Sequence, residues 1–183
     1  MQRFKQVAVD RTAMERRTFD LAEVVMDADP RLRHWDATGP IALRLALQEG
    51  LVMTSYPGPL EQAVANLLAN ALTHAFRGRD TGAISLEAIA DGPTHVLVRV
   101  SDNGNGIDPA DLGRVFDPFF TTSRHEGGTG LGLHIVSQIV TEVLGGTLHA
   151  ENIVSPRWGT GARFTMRLPR EAPMQRGTPA ATA

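Results

Sequence analysis

The sequence predicts an α+β fold of two layers, a mixed sheet with its helices on one face. Three observations carry that expectation. Period-2 alternation recurs over residues 41–47, 84–90, 95–101, 147–153 and 162–168, which marks strands. Apolar stripes of helical period run through 60–76 and 129–144. The order is helix, strand, helix, paired strands, short helix and loop, helix, paired strands. That order lacks the strict βαβ alternation of a doubly wound sheet.

Residues 1–16 carry helical spacing at Phe4, Val7, Ala8 and Arg11, and are expected to be the end of a helix belonging to something upstream. Asp20 is placed to cap a helix over 21–26, with Glu23 at the third helical position as in a capping box. Pro30 leaves the end of that helix open. After the strand at 41–47, Gly50 turns the chain and Val52-Met53 forms a short edge piece. Tyr56-Pro57-Gly58-Pro59 leads into the helix 60–76, with Pro59 near its first position. Its stripe is Leu60, Val64, Leu67, Leu68, Ala71, Leu72 and Ala75, and Asn66, Asn70 and His74 share a face beside it. Residues 77–82 connect to the strand 84–90, and Asp91-Gly92-Pro93 joins that strand to 95–101. A short helix is expected over 109–115, a mobile loop over 116–128, and a helix over 129–144 with Leu131, Ile135, Val136, Ile139 and Val143 inward. Gly145-Gly146 ends it. Residues 170–183, rich in Pro, Ala and Thr, are expected to be a disordered tail. No internal repeat is evident.

Length and composition fit one globular domain with a real core. A net charge of −2 gives no basic field for nucleic acid. There is no cysteine, which rules out disulfides and thiolate metal sites and fits a reducing, cytoplasmic setting. No apolar run is long enough to span a bilayer, and the N-terminus lacks a signal-peptide core. The sole lysine is Lys5, so a Walker A loop, whose lysine follows its glycines, is excluded. The glycines at 127, 128, 130 and 132 do not follow a strand directly and lack the later acidic residue of a Rossmann fingerprint.

The chemistry concentrates between Asp102 and Leu133. Asp-Asn-Gly-Asn-Gly-Ile at 102–107 and Gly-Gly-Thr-Gly-Leu-Gly-Leu at 127–133 flank the aromatic segment Phe-Asp-Pro-Phe-Phe-Thr-Thr at 116–122. A glycine-rich turn opening a helix presents N–H donors and a positive dipole end to a phosphate. Asp102, at a strand end, suits either an exocyclic amine or a plain turn. Mid-helix asparagine is unfavourable by propensity, so two at i, i+4 point to a role, and Asn70 could offer its amide oxygen to Mg²⁺. His74 could reach phosphate from the same face or be an ordinary surface histidine. Phe116, Phe119 and Phe120 read either as core or as a hinge that docks and undocks.

Asn66-Leu-Leu-Ala-Asn70-Ala, Asp102-Asn-Gly-Asn-Gly-Ile, Phe116-Asp-Pro-Phe-Phe and Gly128-Thr-Gly-Leu-Gly-Leu resemble, in order and separation, the N, G1, F and G2 boxes of bacterial sensor histidine kinases. The resemblance covers residues 17–169. It implies the Bergerat (GHKL) ATP-binding fold, a mixed sheet of about five strands with helices on one face. It further implies ATP and Mg²⁺ as cofactors, with Asp102 on the adenine amine and Asn70 holding the metal. Asn66 and Asn70 are the implied catalytic pair, and 117–128 would be the ATP lid. The expected nucleotide site is Asn66, Asn70, His74, Asp102, Gly104, Gly106, Ile107, Phe119, Thr121, Thr122, Gly128, Thr129, Gly130, Leu131, Gly132 and Leu133. The implied partners are a histidine-bearing dimerisation domain and a response-regulator receiver domain, with no nucleic acid and no direct membrane contact from this segment. The function expected is transfer of the ATP γ-phosphate to that histidine. A non-enzymatic ATP-sensing module and an anti-sigma-type serine kinase are the alternatives.

The sequence departs from the family at three points. No histidine is followed by the phosphoacceptor pattern, so the chain is expected to be a catalytic domain without its substrate histidine. Ala162 stands where the family often has threonine. The lid is short, with Arg124 and His125 rather than lysine. In the ATPase relatives a glutamate one turn before the metal asparagine activates water; here that position is Asn66, an amide that cannot act as a general base.

Overall fold

The structure, a computed structural model, describes residues 15–34, 39–122, 129–155 and 159–175. Its elements are β1 (Arg17–Asp20), α1 (Leu21–Asp27), a 3₁₀ turn (Pro30–His34), β2 (Ile41–Leu47), β3 (Val52–Ser55), α2 (Pro57–Asn70), β4 (Gly82–Asp91), β5 (His95–Asp102), α3 (Gly132–Gln138), β6 (Thr147–Ser155) and β7 (Gly159–Pro169). Five strands form one sheet in the order β2-β4-β5-β7-β6. β2 runs parallel to β4, and every other neighbour is antiparallel. The mixed sheet and its helices are the predicted α+β architecture.

Alternation along the strands builds the two faces. Val96, Val98 and Val100 of β5 and Phe164, Met166 and Leu168 of β7 are buried. They share the core with Leu60, Val64, Leu67 and Leu68 of α2 and with Val136 of α3. At the opposite parity Arg99 bonds Glu87 at 2.6 Å, and Arg167 bonds Asp91 at 2.6 Å. One face is therefore packed and the other solvated, as antiparallel sheets allow. Leu67, with no exposed surface, sits in the middle of the packed layer. Leu67→Ala is expected to lower the unfolding free energy by about 2–5 kcal/mol. Urea denaturation tests this, and a loss below about 1 kcal/mol would show the helix layer not to be the main core.

Several elements depart from the sequence expectation. Asp20 does cap α1, but its Oδ1 accepts from the Ala22 N–H at 2.8 Å, one residue short of Glu23. β1 went unforeseen; it pairs antiparallel with β3 in a small second sheet, so Val52-Met53 belongs there and not to the main sheet. α2 begins at Pro57, where a missing N–H is harmless, and ends in a π-turn over Ala71–Ala75. The helix expected over 109–115 is instead a chain of separate turns. Asp108 Oδ1 accepts from the Ala110 N–H at 2.9 Å as an N-cap would, but the backbone then closes turns of three-residue span, the Asp111 N–H to Asp108 O at 2.8 Å and the Arg114 N–H to Asp111 O at 2.8 Å. The second long helix starts at Gly132 rather than Thr129, because Gly130 is left-handed at φ +66°.

A π-turn over Ile139–Val143 then shifts the buried stripe of that helix to Val136, Ile139, Val140 and Leu144. Ile135 and Val143, expected inward, are only partly buried. Arg170–Gln175, placed by composition in a disordered tail, pack onto the domain. The Thr54 N–H donates to Arg170 O at 2.7 Å, Ala172 is buried, and the Gln175 amide donates to the carbonyls of Glu142 and Val143. The rest of that tail and residues 1–14 lie outside the described residues.

Candidate functional site

The C-terminal half of α2, the loop after β5, the aromatic segment and the start of α3 enclose a cavity of about 370 Å³. From α2 and its π-turn come Asn66, Asn70 and His74; from the loop, Gly106 and Ile107. The aromatic segment gives Thr121 and Thr122, and the approach to α3 gives Thr129, Gly130, Gly132 and Leu133. Eleven of the expected site residues thus meet around one space.

The amide side chains of Asn66 and Asn70 have no hydrogen-bond partner among the described residues, although both are half-buried. Two polar groups are thus left open at the cavity wall, within reach of solvent or of a ligand. Gly132 has open space where a Cβ would be, so the first turn of α3 presents bare backbone. Gly130 serves close packing instead: a Cβ there would lie 2.5 Å from the Phe119 carbonyl carbon. Phe119 N–H donates to Gly130 O at 3.0 Å and joins the two ends of the segment between them.

Asp102 ends β5 and is 4% exposed. It does not itself line the cavity; Gly106, Ile107 and the β7 residue Phe164 do. Its Oδ1 accepts from the N–H groups of Gly104 at 2.9 Å and Ala162 at 3.2 Å. Among the described residues Oδ2 has no partner, which leaves it open to a donor. Burial raises the carboxyl above its ordinary value, against the lowering effect of those two N–H bonds and of Arg79. The folded protein therefore holds the extra proton. Stability falls as pH rises from the unfolded value of 3.8 through the raised folded value, and the penalty is complete above it.

Gly104 and Leu131 also lie off the cavity wall. Gly104 is needed for packing, because a Cβ would stand 2.1 Å from Ala75 O. Asn105 fastens the same loop to the end of α2, donating from its N–H to Ala75 O at 2.8 Å and from its amide to Arg77 O at 2.9 Å. Phe119 points away, 64% exposed at φ +64°. Phe116, by contrast, packs edge-on to Phe164 with centroids 6.2 Å apart, and Phe120 lies under the Arg114 guanidinium. The three phenylalanines thus take three different settings. Gly128 lies outside the described residues.

Thr73, Arg77, Asp108 and Asp111 also line the cavity, and sequence reasoning did not assign them to the site. Thr73 and Arg77 continue the i+3, i+4 spacing from Asn70 and were legible from it. Asp108 and Asp111 sit in irregular turns that periodicity does not reach.

Sheet order, helix layer and cavity together define a two-layer α+β domain with a ligand-sized site between its helices and the loop after β5. The family described as histidine kinase-, DNA gyrase B-, and HSP90-like ATPase matches residues 56–172, and the chain belongs to it. Within that family it is similar to the catalytic domains of sensor histidine kinases. It is 41% identical over 130 residues to the two-component sensor PprA of Pseudomonas aeruginosa, covering 69% of this chain and 13% of PprA. It is 35% identical over 158 residues to the alginate biosynthesis sensor protein KinB of the same organism, covering 85% and 25%. The chain thus spans a quarter or less of the length of these relatives. The catalytic domain of histidine kinase ThkA superposes with a TM-score of 0.72 at 27% identity, over 86% of this chain and 99% of that one. ThkA in complex with the response regulator protein TrrA matches with a TM-score of 0.66 at 25% identity, over 84% and 41%.

Proposed function

We propose that this chain binds Mg·ATP in the cavity and passes the γ-phosphoryl group to a histidine on a helical dimerisation domain of a two-component sensor. What carries the reading is the pair of unpartnered amides, Asn66 and Asn70, sharing one cavity with the bare backbone of Gly132. In this reading Asp102 Oδ2 accepts the adenine amine, and the Gly132 end of α3 takes phosphate oxygens.

The donor set fits magnesium only with nucleotide present. Among the described residues no three His, Asp or Glu side chains are grouped to hold a metal. The Asn70 amide oxygen is a single hard ligand, which suits an ion that keeps waters and shares phosphate oxygens. Bound there, the ion would offset negative charge on the phosphates. His74 and Arg77, both on the cavity wall, lie on the same side.

Asn66 cannot take a proton from water, so its role is to position rather than to act as a base. Phosphoryl transfer then rests on alignment and charge neutralisation, with the attacking nitrogen brought by the partner domain. A response-regulator receiver domain is the proposed next acceptor, by analogy with the ThkA–TrrA complex. Among the described residues no helix is long and apolar enough to cross a membrane; a cytoplasmic site of action is part of the same proposal.

Incubation with γ-labelled ATP and a separately produced acceptor helix pair tests the reading. Acid-labile label on the acceptor histidine is expected. Tight ATP binding with no transfer to any acceptor would leave a sensing module and overturn the kinase.

Affinity should also depend on pH. An amine donor favours the charged carboxylate, so ATP binding is expected to weaken as pH falls through the raised value of Asp102. Isothermal titration across the acid range reads this, and Asp102→Asn should remove that part of the dependence.

A further inference from the structure

We infer that Asn152, on the edge strand β6, is a positioning residue that sets the base selectivity of the nucleotide site. This rests on the reading of the cavity given above. Asn152 lies outside every motif in the sequence. Its Oδ1 accepts from the Ile107 N–H at 2.7 Å, and its Nδ2 donates to the Ile107 carbonyl at 2.6 Å. A side chain thereby satisfies both backbone groups of a loop residue, as a neighbouring strand would. Asparagine is disfavoured in strands, so its presence in β6 calls for such a reason.

The clamp acts where the base is read. Asn152 pairs across the ladder with Ala162 of β7. The Ala162 N–H holds Asp102 Oδ1, while Asn152 holds Ile107. One cross-strand pair therefore grips both ends of the loop 102–107. The fit is close along its length. A Cβ at Gly161 would stand 1.8 Å from Asp102 O, and one at Gly106 would stand 2.9 Å from Asn152 Oδ1. With Ile107 in the cavity wall and Asp102 at the other end of the same loop, the clamp fixes the spacing between the carboxylate and the wall. An adenine amine needs that spacing; a guanine, with a carbonyl in the same place, is rejected by it.

The test compares wild type, Asn152→Ala and Asn70→Ala for ATP, ADP and GTP binding by calorimetry. Asn152→Ala is expected to weaken ATP and ADP alike, by about tenfold each, for the loss of two hydrogen bonds. GTP should change little, so the ATP-to-GTP preference shrinks by about the same tenfold while the ATP-to-ADP ratio holds. Asn70→Ala should instead alter the ATP-to-ADP ratio. Asn152→Asp keeps the acceptor for the Ile107 N–H but not the donor, and should fall between wild type and alanine. It also serves if the alanine variant does not fold. A general loosening of the domain would weaken all three nucleotides together and would overturn the inference, as would an unchanged ATP-to-GTP ratio. Wild-type protein that binds none of the nucleotides would instead overturn the reading of the site itself.

Discussion

Asp102→Ala is expected to weaken ATP binding at least about a hundredfold, to the limit of calorimetric detection, while leaving the domain folded. The carboxyl is buried, and a hydrogen bond from an amine to its ionised form contributes about 1.5–3 kcal/mol. Its removal also frees the Gly104 and Ala162 N–H groups, which lose their common acceptor and with it the shape of the loop. The two contributions act on the same ligand atom and reinforce each other. Stability moves the other way in part, because the desolvated carboxylate is no longer present at neutral pH. Folding measured by circular dichroism should survive where binding does not. An alanine variant that binds ATP within a few-fold of wild type would remove Asp102 from the base site.

Much of this arrangement was written in side-chain periodicity. Alternation in β4, β5 and β7 gave the sheet and its buried face, and the stripe on α2 placed Asn66, Asn70 and His74 together. Periodicity fails where local bonds replace regular ladders. After Asp108 the backbone closes three-residue turns, Asp111 N–H to Asp108 O and Arg114 N–H to Asp111 O, in place of the expected helix, and the left-handed Gly130 delays the start of α3 by three residues. β1 is four residues long and gains its order from pairing with β3, a contact no local pattern predicts. The same holds for Arg170–Gln175, whose composition reads as a tail. Their order comes from tertiary bonds: the Tyr56 hydroxyl donates to Pro173 O at 3.1 Å and accepts from the Gln175 N–H at 2.8 Å.

The site shows the same division. Residues that need a particular chemistry, such as the two asparagines of α2, stand out because they are poor choices for their local structure. Glycines stand out as well, but sequence cannot separate those that face a ligand from those that admit a neighbouring chain. Gly132 has open space before it, whereas Gly104 is packed against Ala75 O. Asn152 was invisible for a different reason. Its partner Ile107 is 45 positions away, and only the folding of β6 beside the loop brings the two together.

Asn70→Ala separates ligand binding from folding most cleanly. Alanine is the better helix former, by about 0.5 kcal/mol, and the Asn70 amide makes no bond among the described residues that its removal would break. Thermal unfolding of the free domain should therefore hold or rise slightly. Binding should respond in the opposite sense. Losing the single protein oxygen offered to the ion is expected to weaken ATP binding about ten- to a hundredfold in magnesium and little in EDTA. Transfer to a supplied acceptor should fall further, by about a thousandfold, because charge neutralisation counts most when the γ-phosphoryl is in flight. Asn70→Asp, which keeps an oxygen in the same place, should retain magnesium dependence. A variant with weaker binding in EDTA and magnesium alike would mean that Asn70 touches the nucleotide directly, and the metal would then need another ligand.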